Sequence, residues 1–287
     1  MLACCLPAVH AALRPGDDLV VVDSASRGTQ TGQVARAAGA FTIRCERPGL
    51  SRARNAGVAA STGEVIAFTD DDCRPQPGWL DALVAAFADP AVGFALGRVE
   101  GEGDGAPMSV SGPEPGAARV VGLRDDVTLL GHGANFAVRR SAWAPLGGFD
   151  PLLGAGGLFR AAEDKDALWR LQRAGWLGQV VPSAVVVHSQ WRNRRAAARL
   201  VRGYGLGEGA RAAKLARFDR TAGRELLRAQ LLDHGLAQAV RDLRAGYKTG
   251  VVLSLLRTAG VATGAVRGRR HPVRGGLFVD DLAVDDR

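Results

Sequence analysis

Short apolar runs alternate with segments of helical spacing over the first hundred residues. A helix is predicted over 52–60, with Ser51 as its N-cap, and another over 79–87. Strands connected through crossover helices predict an α/β protein with a largely parallel sheet in this region. The runs rich in β-branched residues that predict these strands lie at 19–22, 41–44, 65–69 and 92–99.

The pattern continues past residue 130 with two more predicted strands and a helix. The strands cover 134–138 and 184–187, and the helix covers 163–174. Between residues 100 and 118 the chain is rich in Gly, Pro and acidic residues, which predicts a mobile loop.

The chain changes character near residue 190. Its formal net charge is +8, and much of the excess lies in the later part, where the pattern is mostly helical. A basic face of this kind fits an anionic lipid surface, a phosphorylated substrate or an ordinary solvated surface. It shows no regular interleaving of aromatic residues, which argues against nucleic acid. We therefore predict a domain over 1–190 and a basic, mostly helical region over 191–287.

The cysteines and the apolar segments indicate the cellular compartment in which the protein works. The four cysteines form no CxxC pair, which favours a reducing cytoplasmic compartment. The apolar start lacks a basic segment and is interrupted by Pro7, so a secretory signal is not expected. The run over 251–266 falls short of the ~20 residues of a spanning helix. It fits a helix lying on a membrane surface, a core helix or a dimer helix, so we expect a cytoplasmic protein with peripheral contact at the inner face of the membrane.

Three consecutive carboxylates, Asp70, Asp71 and Asp72, directly follow the predicted strand at 65–69, and a turn is predicted over 73–77. Adjacent carboxylates repel one another, and a bound cation relieves that cost. The carboxyl end of a strand is also where α/β folds bind ligands. The alternative is a solvated acidic turn.

Five sequence strings stand in a characteristic order and spacing. They are VVVDSAS at 20–26, GLSRARNAG at 49–57, GEVIAFTDDD at 63–72, GGFD at 147–150 and EDKD at 163–166. Together they resemble glycosyltransferase family 2, a family of inverting enzymes. The resemblance covers about residues 15–190 and implies the GT-A fold, a Rossmann-like mixed sheet flanked by helices, here with a C-terminal helical extension.

The resemblance implies a nucleotide-diphosphate sugar as the donor. Asp23 would lie near the base, and Arg52 or Arg54 would contact the nucleotide. In the family's D-x-D pattern the first acid, here Asp70, contacts the ribose, and Asp71 is the variable middle position. The alternatives are a strand-end turn residue for Asp23 and a charged helix surface for the two arginines.

The last acid of the same pattern, Asp72, would hold a divalent metal, Mn²⁺ or Mg²⁺. Such an ion neutralises the charge that grows on the departing nucleoside diphosphate. His188, at the end of the predicted strand 184–187, would complete the metal shell, and a ring nitrogen suits Mn²⁺ better than Mg²⁺. The alternative is an inert, hydrogen-bonded histidine.

On the acceptor side, Asp164 would be the general base and Glu163 would orient the acceptor or the base. His132 and Asn135 would line the pocket for an acceptor hydroxyl on a glycan, a lipid-linked molecule or a small molecule. The alternative for Glu163 and Asp164 is that their charges only stabilise the helix N-terminus, which carries the positive end of the helix dipole.

The chain departs from the family at its start. Members begin with a strand that forms one wall of the base pocket, whereas residues 2–13 here resemble the helix that follows it. We therefore expect the first strand to be missing. The competing functions are a nucleotidyltransferase, a non-catalytic nucleotide-sugar-binding protein and a basic protein that binds RNA or lipid.

Overall fold

The computed structural model describes residues 1–103, 116, 118–122, 125, 131 and 133–280. His132 and most of the loop predicted over 100–118 therefore lie outside the described residues. The chain forms two compact units. The first comprises Met1–Pro48, Arg52–Gly148 and Asp164–Trp191, and the second comprises Gly49–Ser51, Phe149–Glu163 and Arg192–Arg287. The boundary expected near residue 190 stays a prediction.

Helices and strands alternate through the first unit. The helices are α1 (Leu2–Ala12), α2 (Gln30–Ala37), α3 (Leu50–Ala60, from Arg52 in this unit), α4 (Trp79–Ala85), α5 (Arg140–Trp143) and α6 (Glu163–Arg173, from Asp164 in this unit). The strands are β1 (Val20–Ser24), β2 (Phe41–Cys45), β3 (Val65–Thr69), β4 (Cys73–Pro75), β5 (Val92–Glu102), β6 (Arg119–Val121), β7 (Asn135–Arg139) and β8 (Leu177–Ser189).

The strands form a parallel pair, β1–β2, and a six-stranded mixed sheet in the order β3-β7-β5-β8-β4, with β6 also paired to β8. Within that sheet β5 and β8 are parallel, and β3 pairs antiparallel with β7. The mixed sheet flanked by helices is confirmed. The largely parallel sheet predicted from residues 19–99 is wrong beyond β1 and β2, because β3 takes its partner from much later in the chain.

The core of the first unit lies against β5. Its central residues Phe94, Ala95 and Leu96 are fully buried, since both faces of this strand are covered. Phe68 of β3 stacks on Phe136 of β7 with ring centroids 4.6 Å apart. Burial of each such large side chain contributes about 1.5–3 kcal/mol, which stabilises the pairing of these central strands.

A shift of register interrupts the pairing of β5 with β8. Gly97 pairs with Val181, but the next residue, Arg98, pairs with Val185. The buried side chain of Asn135 bridges the interruption, because its Nδ2 donates to the carbonyl oxygens of Arg98 and Ala184, both at 2.8 Å. The strand predicted over 184–187 is therefore only the second half of a longer strand.

Two local predictions are wrong. The turn expected over 73–77 begins with β4, which pairs antiparallel with β8 and is thus held by a distant part of the chain. Ser51 lies inside α3 and is not its N-cap, because its buried hydroxyl donates to the carbonyl oxygen of Leu153 at 2.8 Å.

The second unit is mainly helical. Two of its helices, α7 (Arg194–Leu215) and α10 (Lys248–Arg270), pack along each other through small residues. A Cβ added at Gly209 or Gly264 would overlap the backbone of the facing helix, so glycine permits this close approach. The remaining elements are α8 (Arg220–Arg228), a π-helical segment (Ala229–Ala237), α9 (Gln238–Arg244), β9 (Val273–Arg274) and β10 (Leu277–Phe278).

A buried ion pair stabilises the second unit. Lys214 Nζ lies 2.6 Å from Asp150 Oδ2, and neither side chain is more than 1% exposed. The backbone N–H groups of Leu152 and Phe278 donate to the two oxygens of the same carboxylate at 3.0 and 2.8 Å. Every oxygen of Asp150 is thus paired, as a buried charge requires.

Candidate active site

The turn between β3 and β4 places Asp72 beside a histidine from another strand. Because Cys73 pairs directly with His188 in the antiparallel β4–β8 ladder, His188 Nε2 comes to 3.4 Å from Asp72 Oδ1. One side-chain donor atom from each of Asp72, Cys73 and His188 lies within 4.8 Å of the other two, and all three residues are buried.

This cluster fits a divalent metal ion. Two ligands about 2.1 Å from an octahedral ion lie about 3 Å apart, close to the separation of the Asp72 oxygen and the His188 nitrogen. Among the described residues, the buried Nδ1 of His188 has no hydrogen-bond partner. Burial, together with the charges of Asp70 and Asp72, holds the pKa of the Cys73 thiol well above its usual range, so the thiol stays protonated. The carboxylate and the imidazole are therefore the two groups of this cluster that could hold such an ion, and their metal-binding roles stay predictions.

Trp191 holds the same carboxylate from its other oxygen. Its indole Nε1 donates to Asp72 Oδ2 at 3.0 Å, and the backbone N–H of Ser189 donates to the carbonyl oxygen of Asp72 at 2.9 Å. Trp191 was not predicted as a site residue from the sequence. The available signal was its position just past the strand that carries His188.

A chain of hydrogen bonds connects the acidic triplet to α6. Arg54 Nη2 donates to Asp70 Oδ1 at 3.0 Å and to the carbonyl oxygen of Gly133 at 2.7 Å. The N–H of Gly133 donates to Asp164 Oδ2 at 2.7 Å. A Cβ on Gly133 would lie 2.6 Å from Arg54 Nη1, so a larger residue there would displace the guanidinium from this position. Asp70, Arg54 and Asp164 thus belong to one site in the first unit.

The acidic pair at the start of α6 is buried. Asp164 is 9% exposed, and its Oδ1 accepts from the N–H of Lys165 at 2.7 Å. Glu163 belongs to the second unit. Its carboxylate lies beside Gly154, so close that a Cβ added to this glycine would be 3.1 Å from Oε2. Carboxylates at a helix start are favoured by the helix dipole. The catalytic roles given to both residues stay predictions.

Asp71 is exposed, unlike Asp72. Desolvation raises the pKa of Asp71, and the charges of Asp72 and Asp70 raise it further.

Beneath the triplet, the Cys5 thiol of α1 donates to the carbonyl oxygen of Asp70 at 3.6 Å. Burial and then the triplet's charges raise the pKa of Cys5 to about 12, so this thiol also stays neutral. The two thiols that pack against the acidic turn, those of Cys5 and Cys73, are thus both neutral.

Asp23 lies at the end of β1 beside a cavity of about 350 Å³. Its Oδ2 accepts from Arg44 Nη1 at 2.7 Å, and its Oδ1 accepts from the N–H of Ser26 at 2.9 Å. Although burial opposes ionisation, these hydrogen bonds hold the pKa of Asp23 below its usual range. The cavity lining comprises Asp23, Gly28, Thr29, Gly32, Arg36, Thr42, Ile43 and Arg44.

The remaining predicted site residues have structural contacts. Arg52 Nη1 donates to the carbonyl oxygen of Pro48 at 3.3 Å. The amide of Asn135 is fully buried, and its Oδ1 accepts from Trp79 Nε1 at 2.8 Å, in addition to its bonds across the register shift. Asn135 therefore ties the sheet together, and its acceptor-side role stays a prediction.

Residues 1–145, half of the chain, match the family model described as glycosyl transferase family 2. The chain belongs to glycosyl transferase family 2. The matched region contains Asp23, Arg54 and the triplet, but it ends before Asp164 and His188.

Curated relatives resemble the family 2 chain over parts of their length. It is 35% identical over 146 residues to the pre-mycofactocin glycosyltransferase of Mycobacterium tuberculosis, covering 49% of this chain and 30% of that protein. It is 33% identical over 105 residues to the glycosyltransferase AglE of Haloferax volcanii, covering 33% of this chain and 34% of that one. The chain thus spans about a third of the length of these relatives.

Solved structures support the GT-A fold. The mannosyltransferase PcManGT from Pyrobaculum calidifontis, in complex with GDP-Man and Mn²⁺, superposes with a TM-score of 0.60 at 20% identity, covering 90% of this chain and 81% of that one. TarS of S. aureus superposes with a TM-score of 0.50 at 16% identity, covering 94% and 52%. At these identities the likeness concerns the fold alone.

Proposed function

We propose that this family 2 protein transfers a sugar from a nucleotide-diphosphate sugar to an acceptor hydroxyl, with inversion and with help from a divalent metal. The observation that carries the proposal is the hydrogen-bonded chain from Asp70 through Arg54 and Gly133 to Asp164. It joins the carboxylate of Asp70, beside Asp72 and His188, to the carboxylate of Asp164 on another element. A glycosyl transfer needs two such groups, one near the donor and one near the acceptor.

On the donor side, the protein must bind a diphosphate whose negative charge grows as the glycosidic bond breaks. A divalent ion held by Asp72 and His188 supplies electrostatic stabilisation of that leaving group. The imidazole favours Mn²⁺ over Mg²⁺. The structure of the similar mannosyltransferase is a complex with GDP-Man and Mn²⁺, which supports a donor of this class. Asp70 and Arg54 then contact the nucleoside, and Asp23 with its neighbouring cavity lies near the base.

On the acceptor side, Asp164 takes the proton of the attacking hydroxyl. A positioned carboxylate contributes about 10²–10⁴ in rate. The hydrogen bonds from Gly133 and Lys165 fix the orientation of this carboxylate, so that its remaining lone pairs are available to the acceptor. Attack in one step from the face opposite the diphosphate inverts the anomeric carbon, the same stereochemical logic as in inverting glycosidases.

The proposed location is the cytoplasm. The cysteines Cys4, Cys5, Cys45 and Cys73 are all free in the structure, which supports a reducing compartment.

The test is Mn²⁺-dependent binding of GDP and UDP by calorimetry. Asp72→Ala should abolish the gain in nucleotide affinity that Mn²⁺ gives to the parent. Asp81→Ala, which removes an exposed carboxylate from α4, is the matched control and should behave like the parent. An unchanged Mn²⁺-dependent affinity in Asp72→Ala contradicts the assignment of this ligand.

Product analysis separates the proposed transfer from its competitors. Incubation with UDP-, GDP- and dTDP-sugars and a panel of acceptors should release the nucleoside diphosphate. Release of pyrophosphate from a nucleoside triphosphate and a sugar phosphate would instead indicate a nucleotidyltransferase. Tight binding of donor without turnover over the whole panel would indicate a binding protein.

A further inference from the structure

One face of α10 is apolar and exposed. Five of its residues follow a spacing of three and four positions, so they form one stripe along the helix. Three of them are large, with Val252 56%, Leu255 49% and Val266 50% exposed, and alanines fill the other two positions. The stripe comprises Val252, Leu255, Ala259, Ala262 and Val266.

The opposite face of α10 is already used. Val261 and Gly264 are buried, and a Cβ on Gly264 would meet the backbone of Leu206 in α7. The helix has 23 residues and is long and apolar enough to cross a membrane by length and composition, with 33% of its most apolar window buried. A spanning position would separate it from α7. The packed face therefore favours a helix that lies on a surface.

The segment before α10 carries a second apolar stripe. Leu232, Leu236, Val240 and Leu243 are between 42% and 66% exposed and are spaced by four, four and three positions. This segment packs along α10, where Ser254 donates to Asp242 at 3.0 Å. Each of two neighbouring helical elements therefore exposes large apolar side chains, well beyond the single ones that are normal on a surface.

Basic and aromatic residues lie at the ends of these stripes. Tyr247 and Lys248 are exposed where α10 begins, and Arg267, Arg269 and Arg270 are exposed where it ends. Arg241 and Arg244 are exposed at the end of α9. An apolar face whose ends carry tyrosine, lysine and arginine is typical of helices at a membrane interface.

We propose that this surface, the apolar stripes of α10 and of the preceding π-helical segment and α9 with their basic ends, binds an anionic lipid membrane with α10 lying flat in the interface. The charges favour lipid over a second copy of the chain. Pairing two α10 stripes, in either direction, would bring basic ends together: Lys248 against the arginines if antiparallel, and arginines against arginines if parallel. A surface of anionic headgroups meets both ends with opposite charge.

The test is sedimentation of the full chain with vesicles. Vesicles of phosphatidylcholine with phosphatidylglycerol should bind the protein, vesicles of phosphatidylcholine alone should bind it much less, and salt should weaken binding. Val252→Asp with Leu255→Asp should lower the bound fraction at least tenfold. Arg269→Gln with Arg270→Gln should weaken binding roughly fivefold per arginine, corresponding to the contribution of one basic residue near an anionic surface. Val120→Asp, on an exposed valine of β6, is the matched control and should bind like the parent.

Three outcomes would overturn the proposal. One is an absence of binding to the anionic vesicles. Another is a dimer in analytical ultracentrifugation that Leu255→Asp dissociates, since the stripe would then join two copies. The third is protein that stays in the membrane after alkaline carbonate extraction, which would indicate a spanning helix. All changed side chains are exposed, and thermal melting checks that each variant folds.

The surface does not depend on the transferase activity. Mn²⁺-dependent nucleotide affinity, measured on the same variants, should stay at the parental value. Loss of vesicle binding with parental nucleotide binding in the stripe variants would support the surface, whatever the outcome for the proposed function. Parental vesicle binding in those variants would overturn the surface and leave the proposed function untouched.

Discussion

The indole N–H of Trp191 donates to one oxygen of Asp72 at 3.0 Å, while His188 lies 3.4 Å from the other oxygen. The indole therefore fixes one oxygen of the carboxylate, and the other oxygen faces the imidazole. Such outer contacts fix the direction of a ligand's lone pairs and tune its affinity for metal.

Replacing Trp191 by phenylalanine tests this relationship. Trp191→Phe should lower the Mn²⁺ affinity about 10–100-fold, because the freed carboxylate can rotate away from His188. Nucleotide affinity without metal should stay near the parental value, as measured by calorimetry with and without Mn²⁺. Trp176→Phe changes another indole of the same unit and serves as the control. An Mn²⁺ affinity equal to the parent's would contradict the positioning role.

Asp164→Asn tests the acceptor side. The amide oxygen can still accept the hydrogen bond from Gly133, and only the local bond from Lys165 is lost, so the fold and donor affinity should be kept. Turnover should fall at least about 100-fold, because an amide cannot take the proton of the acceptor hydroxyl. Steady-state release of nucleoside diphosphate, together with donor binding, measures both quantities. Turnover near the parental rate would remove Asp164 from this role.

Arg44→Gln should reduce stability in a pH-dependent way. The hydrogen bonds from Ser26 and Arg44 lower the pKa of Asp23, so their stabilisation is present above its unfolded pKa of about 3.9 and is lost as the pH falls through the lower folded value. The variant should melt at a lower temperature than the parent at pH 7, and the difference should vanish in strong acid. A difference that stayed constant across a pH series of thermal melts would contradict this linkage.

The ion pair of Lys214 with Asp150 allows a double-mutant cycle. Lys214→Met and Asp150→Leu should each lower the free energy of unfolding by about 3–5 kcal/mol, since each leaves a buried charge without its partner. The double variant should lose less than the sum of the two, because both charges are gone. Urea unfolding curves give the three values, and strict additivity would show that the pair is not coupled.

Local patterns were enough to predict some elements and not others. The β-branched runs predicted β1, β2, β3 and most of β5, because each has its signal within a few residues. The strand character of Cys73–Pro75 was hidden, since only its pairing with β8 makes this short segment a strand.

The candidate site depends on longer-range geometry. The triplet and His188 were placed from their positions after strands, but the contact between Asp72 and His188 follows from the register of two strands far apart in the chain. Gly133 gave no sequence signal, because its role comes from the approach of Arg54. Trp191 was missed because its hydrogen bond to Asp72 joins residues far apart in the chain, although its position just past the strand of His188 was a signal.

The register shift beside Asn135 determines the face of the sheet to which each later side chain of β8 points. Side chains alternate between the two faces of a strand, so the extra residues between Val181 and Val185 determine which way His188 points. Deleting a single one of them would turn the imidazole to the far face and leave Asp72 without it. The bulge is thus a spacer. A redesigned sheet would have to keep the length of this bulge in order to keep Asp72 and His188 together.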